Sequence, residues 1–150
     1  MSKHASDNSN DIVNIIVQNE KFTPAYSHDT DAGADVRSTI DVTLQPRQVT
    51  QVPLGFKMDL PDGAWVKIEG RSSLAAQGIF PVGGIVDSGY HGELIALLAN
   101  ITDEPFEIHV EDRVAQIVIH PRYQFEFQEV ESFDRETDRG ENGLGSTGVN

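Results

Sequence analysis

Cysteine is absent from this sequence of 150 residues. Its absence excludes disulfide bonds, thiol catalysis and cysteine-based zinc sites together. No apolar run approaches the roughly 18 residues that a membrane-spanning helix needs, and the polar residues 1–7 lack the apolar segment of a secretory signal. We therefore expect a cytoplasmic protein, or one of the host-cell cytoplasm if the source is a virus, with no membrane partner.

Positive charge is also scarce. Lysine and arginine together number 11 against 24 aspartates and glutamates, which gives a formal net charge of -13. Because polymeric nucleic acid is bound through a basic face that releases counterions, this balance argues against such a partner. If the ligand is a small anion, a few arginines must form a local positive pocket. Otherwise the acidity serves solubility.

Helical periodicity is nearly missing as well. The one segment with a helical pattern is 72–77, which Ser72 can cap and Gly78 can end. Elsewhere, short alternating or β-branched runs are separated by turn signals about every eight to twelve residues, which is typical of an all-β sandwich or barrel. The predicted strands and extended segments are 11–17, 22–26, 36–42, 49–52, 56–58, 64–68, 94–100, 106–110, 113–119 and 123–130.

Composition divides the chain into three parts. Residues 1–10 are polar and rich in Asn and Ser, which predicts a disordered lead-in. Residues 11–130 carry the strands and are predicted to form one β domain of ordinary size. From residue 131 the chain is charged and Gly-rich without a periodic apolar pattern, so 131–150 is predicted to be a flexible C-terminal arm.

The stretch 83–93 combines glycines, one carboxylate and one aromatic, and we expect two short strands paired with each other. Gly83 and Gly84 would let a flat base lie against the backbone with no Cβ in the way. Strand C=O and N–H groups match the edge of uracil, whereas cytosine would leave buried groups unpaired. Asp87 could take a proton from water, and Tyr90 could press on the sugar where a ribonucleotide carries its 2′-OH. The alternative is a tight hairpin with a solvated Asp and a core Tyr.

Two further segments suit anions. In 70–75, Arg71 lies beside hydroxyls and backbone N–H groups at a helix start, which is a typical anion site. The alternative there is an ordinary N-cap with a surface arginine. In 139–148, glycines and hydroxyls resemble a phosphate loop, but the Gly-Lys-Ser/Thr and the following helix of a Walker A motif are absent. This segment suits an arm that orders over a phosphate chain, or a tail without a function.

Taken together, these segments resemble the five ordered motifs of the trimeric dUTPases, the deoxyuridine triphosphate nucleotidohydrolases. The resemblance runs from about residue 12 to the C-terminus, and the ordered set is far more specific than any one motif. The matching segments are Ala32-Gly-Ala-Asp35, Gly70-Arg-Ser-Ser-Leu-Ala75, Gly84-Ile-Val-Asp-Ser-Gly-Tyr-His-Gly-Glu93, Asp112-Arg-Val-Ala-Gln116 and Arg139 to Gly148.

The resemblance implies a jelly-roll-like, all-β subunit with one short helix and a mobile C-terminal arm. It implies a homotrimer with three sites at subunit contacts, in which the arm of one chain closes over a site built by the other two. The implied activity is hydrolysis of dUTP to dUMP and pyrophosphate with Mg²⁺, which keeps uracil out of DNA and supplies dUMP for dTMP synthesis.

The resemblance also assigns roles to residues. Asp87 would position or deprotonate the attacking water, and Asp35 would hold Mg²⁺ through water, because Mg²⁺ keeps part of its hydration shell. Ser72 and Gln116 would contact the phosphates nearest the attack. The other predicted substrate-binding residues are Arg71, Ser73, Gly83, Gly84, Val86, Tyr90, Arg139, Leu144, Gly145, Ser146 and Thr147. Within the arm, the arginine and the two hydroxyl side chains would hold the γ-phosphate and exclude water.

Two departures from the family pattern concern the base. Leu144 stands where the family usually has an aromatic that stacks on uracil, so it covers the base without the stacking contribution, on the order of 1–3 kcal/mol. Phe80-Pro-Val82 stands where some relatives place an Asn near the base. We therefore assign base reading mainly to the backbone.

Two other functions remain open. A dCTP deaminase shares this fold and needs a glutamate on the strand after 83–93. The strand 94–100 contains no carboxylate, but Glu93 directly precedes it. A regulatory protein, of a different class, would use the same fold and a nucleotide-dependent arm to engage a partner protein. The histidines at 28, 91, 109 and 120 have no mutual metal spacing, and we expect structural or solvent-facing positions for them and a core position for Trp65.

Overall fold

The computed structural model describes residues 11–145, which form eleven strands, one α-helix and one 3₁₀ turn. The strands are β1 (Asn14–Val17), β2 (Ala34–Arg37), β3 (Val42–Leu44), β4 (Val49–Pro53), β5 (Phe56–Asp59), β6 (Ala64–Glu69), β7 (Ile79–Val82), β8 (Ile85–Val86), β9 (Ile95–Asn100), β10 (Phe106–Ile108) and β11 (Arg113–Pro121). The helix α1 is Ser72–Ala75, and the 3₁₀ turn is Glu20–Phe22. The predicted all-β class with one short helix is confirmed. None of the helical segments in this part of the chain has the length and apolar character to cross a membrane.

The strands form two larger antiparallel sheets and two ribbons. The four-stranded sheet has the order β2-β11-β6-β8, and the three-stranded sheet has the order β4-β9-β7. In the ribbons, β1 pairs with β5 and β10 with β3. Because β11 pairs with β2 on one side and β6 on the other, it brings together segments that are far apart in sequence.

Alternation along the strands decides which side chains form the core. In β6, Val66 and Ile68 are buried, whereas Trp65 and Lys67 lie on the outer face. Ile117 of β11 stands opposite Ile68 and is buried with it. Each such side chain contributes about 1.5–3 kcal/mol when fully buried, and a slip of one residue would turn all of them outwards. The core therefore fixes the register of the sheet.

The predicted pairing of two strands within 83–93 is wrong. Only β8 forms within this stretch, and it pairs with β6 in the four-stranded sheet, whereas the preceding β7 pairs with β9 in the three-stranded sheet. Between them, Gly83 and Gly84 have φ angles of 65° and 92°, a backbone conformation that glycine adopts without strain. The two glycines carry the chain from one sheet to the other and open a space between the sheets.

The strand predicted at 123–130 does not form. The residues after β11 have no strand partner among those described, and Phe127 is 98% exposed. Pro121 ends β11, and the alternating aromatics that follow would form one face of a strand only if a partner edge were present. The pattern states which side chains would share a face, but a strand also needs a partner edge.

The short helix differs from its prediction at both ends. Arg71, not Ser72, holds the N-cap position, without a side-chain cap hydrogen bond, and the helix stops at Ala75. Gly78 has a φ of 81°, and its N–H donates to the Ala75 carbonyl at 3.0 Å, so the predicted end signal is confirmed. The Ser72 hydroxyl is therefore not committed to capping.

Two predicted extended segments form only in part. In 22–26, Phe22 ends the 3₁₀ turn and Ala25 makes an isolated bridge with the strand β2. In 36–42, the buried Ser38 separates β2 from β3, since its hydroxyl donates to the Ile40 carbonyl at 2.7 Å and accepts the Ile40 N–H at 3.2 Å. This local competition for backbone hydrogen bonds is typical of serine.

Candidate active site

A cavity of about 370 Å³ lies beside the turn at Gly83 and Gly84, where β8 adjoins the outer face of the three-stranded sheet. One wall comes from β8 and the residues after it, and the other from β4 and β9. The lining residues are Gln51, Ile68, Gly84, Ile85, Val86, Asp87, Tyr90, Glu93, Leu94, Ile95 and Leu97. We call this cavity the glycine pocket. It contains four of the predicted site residues.

Backbone groups of β8 form one wall of the glycine pocket. The Gly84 carbonyl accepts the Ile68 N–H at 2.8 Å, and a Cβ at Gly84 would lie 2.8 Å from the Ile68 oxygen. The Gly83 carbonyl accepts the Lys67 ammonium at 2.5 Å. Since β8 pairs only with β6 among the described residues, its other edge carries backbone donors and acceptors without a strand partner. These groups match the kind of edge that a base can pair with.

Asp87 and Tyr90 stand on the turn that follows β8. The Tyr90 N–H donates to the Asp87 carbonyl at 3.1 Å, and the Tyr90 hydroxyl donates to the Glu93 carbonyl at 2.8 Å. Tyr90 lines the pocket and is 46% exposed, which excludes the alternative of a core position. Asp87 is exposed in this chain. Its carboxylate can therefore receive a proton from a water molecule in the pocket.

A second group of polar side chains lies at the ends of β2, β11 and β6. Asp35 is its centre: Oδ1 lies 3.4 Å from Arg71 Nε, and Oδ2 lies 3.4 Å from Arg113 Nη1. The Ser27 hydroxyl donates to Asp35 Oδ2 at 3.1 Å, and Arg71 Nη1 donates to the Arg113 carbonyl at 3.1 Å. We call Ser27, Asp35, Arg71, Arg113 and Gln116 the arginine cluster. Because two guanidinium groups surround one carboxylate, the arginine cluster has a local excess of positive charge.

Gln116 completes the arginine cluster through the strand register. It pairs with Asp35 on β2 and with Glu69 on β6, and its Nε2 donates to the Gly70 carbonyl at 2.8 Å. Gly33 leaves room for the Gln116 side chain, since a Cβ would lie 2.2 Å from Gln116 Oε1 and displace it. The predicted segments 32–35, 70–75 and 112–116 therefore meet at one place, with Ser72 and Ser73 exposed on the adjoining helix.

The glycine pocket and the arginine cluster remain separate within one chain. The pocket lining includes no member of the cluster, and no hydrogen bond or ion pair among residues 11–145 joins Asp87 or Tyr90 to it. The structure therefore brings together Asp35, Arg71 and Gln116, and separately Gly84, Val86, Asp87 and Tyr90. It does not bring the two sets together.

The donor set around Asp35 limits how a metal ion can be held. Among residues 11–145, no group of three His, Asp or Glu side chains is arranged to bind a metal. Both Asp35 oxygens already face an arginine. Such a set does not form an all-protein cage, but Mg²⁺ keeps several waters and binds through one or two carboxylates plus substrate phosphates. A single carboxylate beside a phosphate site fits that mode.

The predicted arm residues contribute nothing to either group in this chain. Residues 131–145 are exposed, and Leu144 is fully so. Arg139 Nε donates to the Asn142 carbonyl at 2.8 Å, a contact within the arm itself. Gly145 is the last residue described, and Ser146 and Thr147 lie outside the described residues.

Several pocket and cluster residues were missed by the sequence analysis. Gln51 and Leu97 stand opposite each other on β4 and β9, and both line the pocket. Leu97 is 36% exposed, although its strand was predicted to be buried on both faces. Alternation in β4 was the available signal for Gln51. Arg113 lies inside the matched segment 112–116, but its charge was not connected with Asp35.

None of the four described histidines, nor Trp65, lines the glycine pocket or forms an ion pair with the arginine cluster. Among the residues described, His28 pairs with Asp31 and His91 with Asp59 at the surface, and His109 lies 3.8 Å from two carboxylates. Trp65 is half-buried on the outer face of β6, where it stacks on His120 with ring centroids 4.5 Å apart. The core position predicted for Trp65 is therefore wrong.

Comparison with known proteins identifies the family. The dUTPase family model matches residues 19–148. The chain belongs to the dUTPase family. The deoxyuridine 5'-triphosphate nucleotidohydrolase of Zymomonas mobilis subsp. mobilis is 43% identical to this chain over 129 residues. The match covers 84% of this chain and 88% of the relative. Family membership decides between the dUTPase and dCTP deaminase hypotheses in favour of the dUTPase.

Solved structures of phage dUTPases have the same fold. A mutant dUTPase of Staphylococcus bacteriophage 80alpha with dUpNHpp has a TM-score of 0.84 and 25% identity, covering 93% of this chain and 99% of that one. A mutant dUTPase from phage phi11 of S. aureus, described with a structural Mg(II) ion, has a TM-score of 0.76 and 23% identity, covering 83% and 99%. The all-β assignment therefore rests on solved members of the family as well.

Proposed function

We propose that this chain hydrolyses dUTP to dUMP and pyrophosphate, with deoxyuridine in the glycine pocket and the phosphates on an arginine cluster. The observation that carries the proposal is the exposed carboxylate of Asp87 beside Tyr90 in a cavity edged by β8, in a chain of the dUTPase family. The reaction removes dUTP before it can be incorporated into DNA and yields the precursor of dTMP.

The base is read by the unpaired edge of β8. Uracil presents an N–H between two carbonyl oxygens, and the edge of β8 that faces away from β6 carries peptide N–H and C=O groups that can pair with it. Gly83, Gly84 and Val86 allow this approach because the glycines bring no side chain and the Val86 side chain turns into the core. Cytosine reverses the donor and acceptor at two positions, which leaves buried groups unpaired and disfavours it by several kcal/mol, roughly.

Asp87 activates the water. The water oxygen forms a bond to the α-phosphorus while the bond from that phosphorus to the bridging oxygen breaks, so pyrophosphate leaves and Asp87 takes the water proton. The exposed turn after β8 gives this carboxylate room for a water and a phosphate. General base catalysis of this kind contributes about 10²–10⁴-fold to the rate.

The arginine cluster holds the triphosphate. Arg71 and Arg113 are already oriented by Asp35, so little side-chain entropy is lost when an anion binds. The amide of Gln116 and the hydroxyls of Ser72 and Ser73 supply neutral donors beside them. Bound Mg²⁺ would neutralise phosphate charge, and Asp35 is the carboxylate of this cluster that would hold it, through water.

The arm closes the site. We assign the γ-phosphate to Arg139, Ser146 and Thr147, with Gly145 allowing the backbone to approach and Leu144 covering the base. The support is the match of the family model, which extends to residue 148, together with the full exposure of Leu144 in the single chain. An apolar side chain so exposed is available to cover a ligand or a neighbouring chain.

Sites shared within a homotrimer account for the separation of the two groups. The pocket of one copy then faces the arginine cluster of the next. Support comes from the outer face of the three-stranded sheet, which is apolar except for Gln51 and is continuous with the pocket wall at Leu97. Val49 is 56% exposed on that face. The other apolar residues that share it are Phe80, Val82, Ile95 and Ala99.

Pyrophosphate release with Mg²⁺ across dUTP, dCTP, dTTP and UTP tests the function. We expect turnover of dUTP far above the other three, with dCTP testing the β8 edge and UTP testing the contact of Tyr90 with the sugar. Comparable turnover of dCTP would contradict base reading by the backbone. No turnover of any of the four would contradict the proposed function itself.

A further inference from the structure

Glu93 connects the glycine pocket with a turn on the opposite side of the chain. It lines the pocket, and it also borders a smaller cavity of about 220 Å³ along β1 and β5. Its Oε1 accepts the Gly55 N–H at 3.1 Å. No other carboxylate among the described residues lines the pocket except Asp87.

The turn at Gly55 is a fixed support. Gly55 has a φ of 80°, and a Cβ there would lie 2.6 Å from Thr39 Cγ2, so the peptide is closely enclosed. Its carbonyl accepts the Gln18 N–H at 2.8 Å. Next to it, the Leu94 N–H donates to the Phe56 carbonyl at 3.0 Å. The Glu93 carboxylate is therefore attached to a part of the chain that cannot shift without disturbing several strands.

Tyr90 is in turn attached to Glu93. The Tyr90 hydroxyl donates to the Glu93 carbonyl at 2.8 Å, and the ring packs so closely on Gly92 that a Cβ there would lie 2.5 Å from the hydroxyl oxygen. The Tyr90 N–H donates to the Asp87 carbonyl at 3.1 Å. A continuous series of contacts thus runs from Gly55 through Glu93 and Tyr90 to Asp87.

We propose that Glu93 is a positioning residue, whose carboxylate ties the segment 87–93 to the Gly55 turn and thereby holds the Tyr90 ring against the sugar. In this role the Glu93 carboxylate acts only as a hydrogen-bond acceptor. Its charge is not required, and it does not bind the substrate. The inference rests on the proposed function, since it takes deoxyuridine as the occupant of the pocket.

Steady-state kinetics with dUTP and UTP on the full chain test this role. Glu93→Ala leaves the Gly55 N–H without its acceptor, and we expect KM for dUTP to rise about tenfold with a smaller change in kcat. The preference for dUTP over UTP falls by a similar factor, because the ring is no longer held where the 2′-OH would be. Glu93→Gln keeps an acceptor oxygen, and we expect it to restore near-normal values.

Three further variants keep the test decisive. Tyr90→Phe removes only the hydroxyl that contacts the Glu93 carbonyl, and we expect the same loss of preference against UTP. Combined with Glu93→Ala it adds little, because both break one series of contacts. His91→Ala is the matched control in the same segment: its pair with Asp59 is exposed, so both constants stay within about twofold.

Three outcomes would overturn the proposal. If Glu93→Gln were as defective as Glu93→Ala, the charge of Glu93 would itself act on the substrate. Independent, multiplying effects of the Tyr90 and Glu93 changes would separate the two residues. An unchanged dUTP-to-UTP ratio in Tyr90→Phe would do the same even if Glu93→Ala does not fold. A wild-type protein that fails to hydrolyse dUTP contradicts the proposed function instead, so the two failures are distinguishable.

Discussion

The arginine cluster and the glycine pocket are built in different ways. In the cluster, Asp35, Arg113 and Gln116 stand on paired strands, and their side chains contact one another or the neighbouring backbone. In the pocket, Asp87 and Tyr90 stand on a turn after a two-residue edge strand, and Asp87 is exposed. Strand register thus fixes the charges that we propose for phosphate binding, while the group assigned to the chemistry lies where water can reach it.

The largest effect is expected in the pocket. Asp87→Asn removes the base without changing the size of the side chain, so kcat for dUTP should fall by about 10²–10⁴-fold while nucleotide binding persists. Turnover and equilibrium binding measure the two quantities. Asp59→Asn, at an exposed carboxylate paired with His91, is the control. Near-normal turnover in Asp87→Asn would refute the assignment of the base.

The cluster is probed by Arg71→Ala, which removes the partner of both Asp35 and the Arg113 carbonyl. We expect kcat/KM for dUTP to fall by about 10²-fold. Arg47→Ala, at an exposed pair with Asp103, should have little effect.

Mixing the Asp87→Asn and Arg71→Ala proteins tests whether one site is shared between two chains. If each site takes its pocket from one copy and its cluster from the next in a closed ring, an equal mixture of Asp87→Asn and Arg71→Ala chains should regain about a quarter of wild-type activity. The mixture must be unfolded and refolded together to allow exchange. Activity no higher than that of the separate proteins would place both groups of one site in a single chain.

Removal of residues 139–150 tests whether the arm closes over the glycine pocket and the arginine cluster. We expect kcat/KM to fall by about 10-fold or more, because a donor arginine and water exclusion are lost together. Thermal unfolding and sedimentation should match those of the complete chain. Removal of residues 1–10 is the control. A shortened protein with full activity would contradict the closing role of the arm.

A moderate effect on stability is expected at the turn between the sheets. Gly84→Ala forces a Cβ to 2.8 Å from the Ile68 oxygen at a φ of 92°, which should cost about 1–3 kcal/mol of unfolding free energy. Chemical denaturation measures the change. At Gly63, where a Cβ meets nothing within 4 Å, the same substitution should change stability by less than about 0.5 kcal/mol. Equal losses at both positions would show that the close approach at Gly84 is unimportant.

The smallest expected effect is a decrease in KM for dUTP. Leu144→Phe places an aromatic where the family usually has one, and stacking on the base should lower KM for dUTP about fivefold. Leu144→Met, apolar but not aromatic, should leave KM nearly unchanged. An identical KM in the Phe variant would mean that residue 144 does not reach the base.

The sequence predicts local features of this molecule well and long-range ones less well. Alternation in β6 and β11 predicts which side chains are buried, and the segments around Asp35, Arg71 and Gln116 are found where the motif order suggests. The partner of β8 was not predictable, because a two-residue strand flanked by glycines can pair with a neighbouring segment or with a distant strand. In the structure, the Ile68 N–H donates to the Gly84 carbonyl and β8 lies beside β6.

The alternating aromatics at 123–130 show the same limit. Period-two alternation states which side chains share a face, but pairing also needs a free strand edge. In the single chain this segment has none among the described residues. Ser72 illustrates a smaller error, since a serine before a helical pattern marks the helix start only to within one residue.

The stacking of Trp65 on His120 gives the chain a built-in optical probe. Trp65 is the only tryptophan in the sequence, so indole emission comes from one position on the β6–β11 pair. Since the two rings share a face only in the native register, a displacement of one residue would put them on opposite faces. Emission followed during refolding therefore times the zipping of these two strands, without any label.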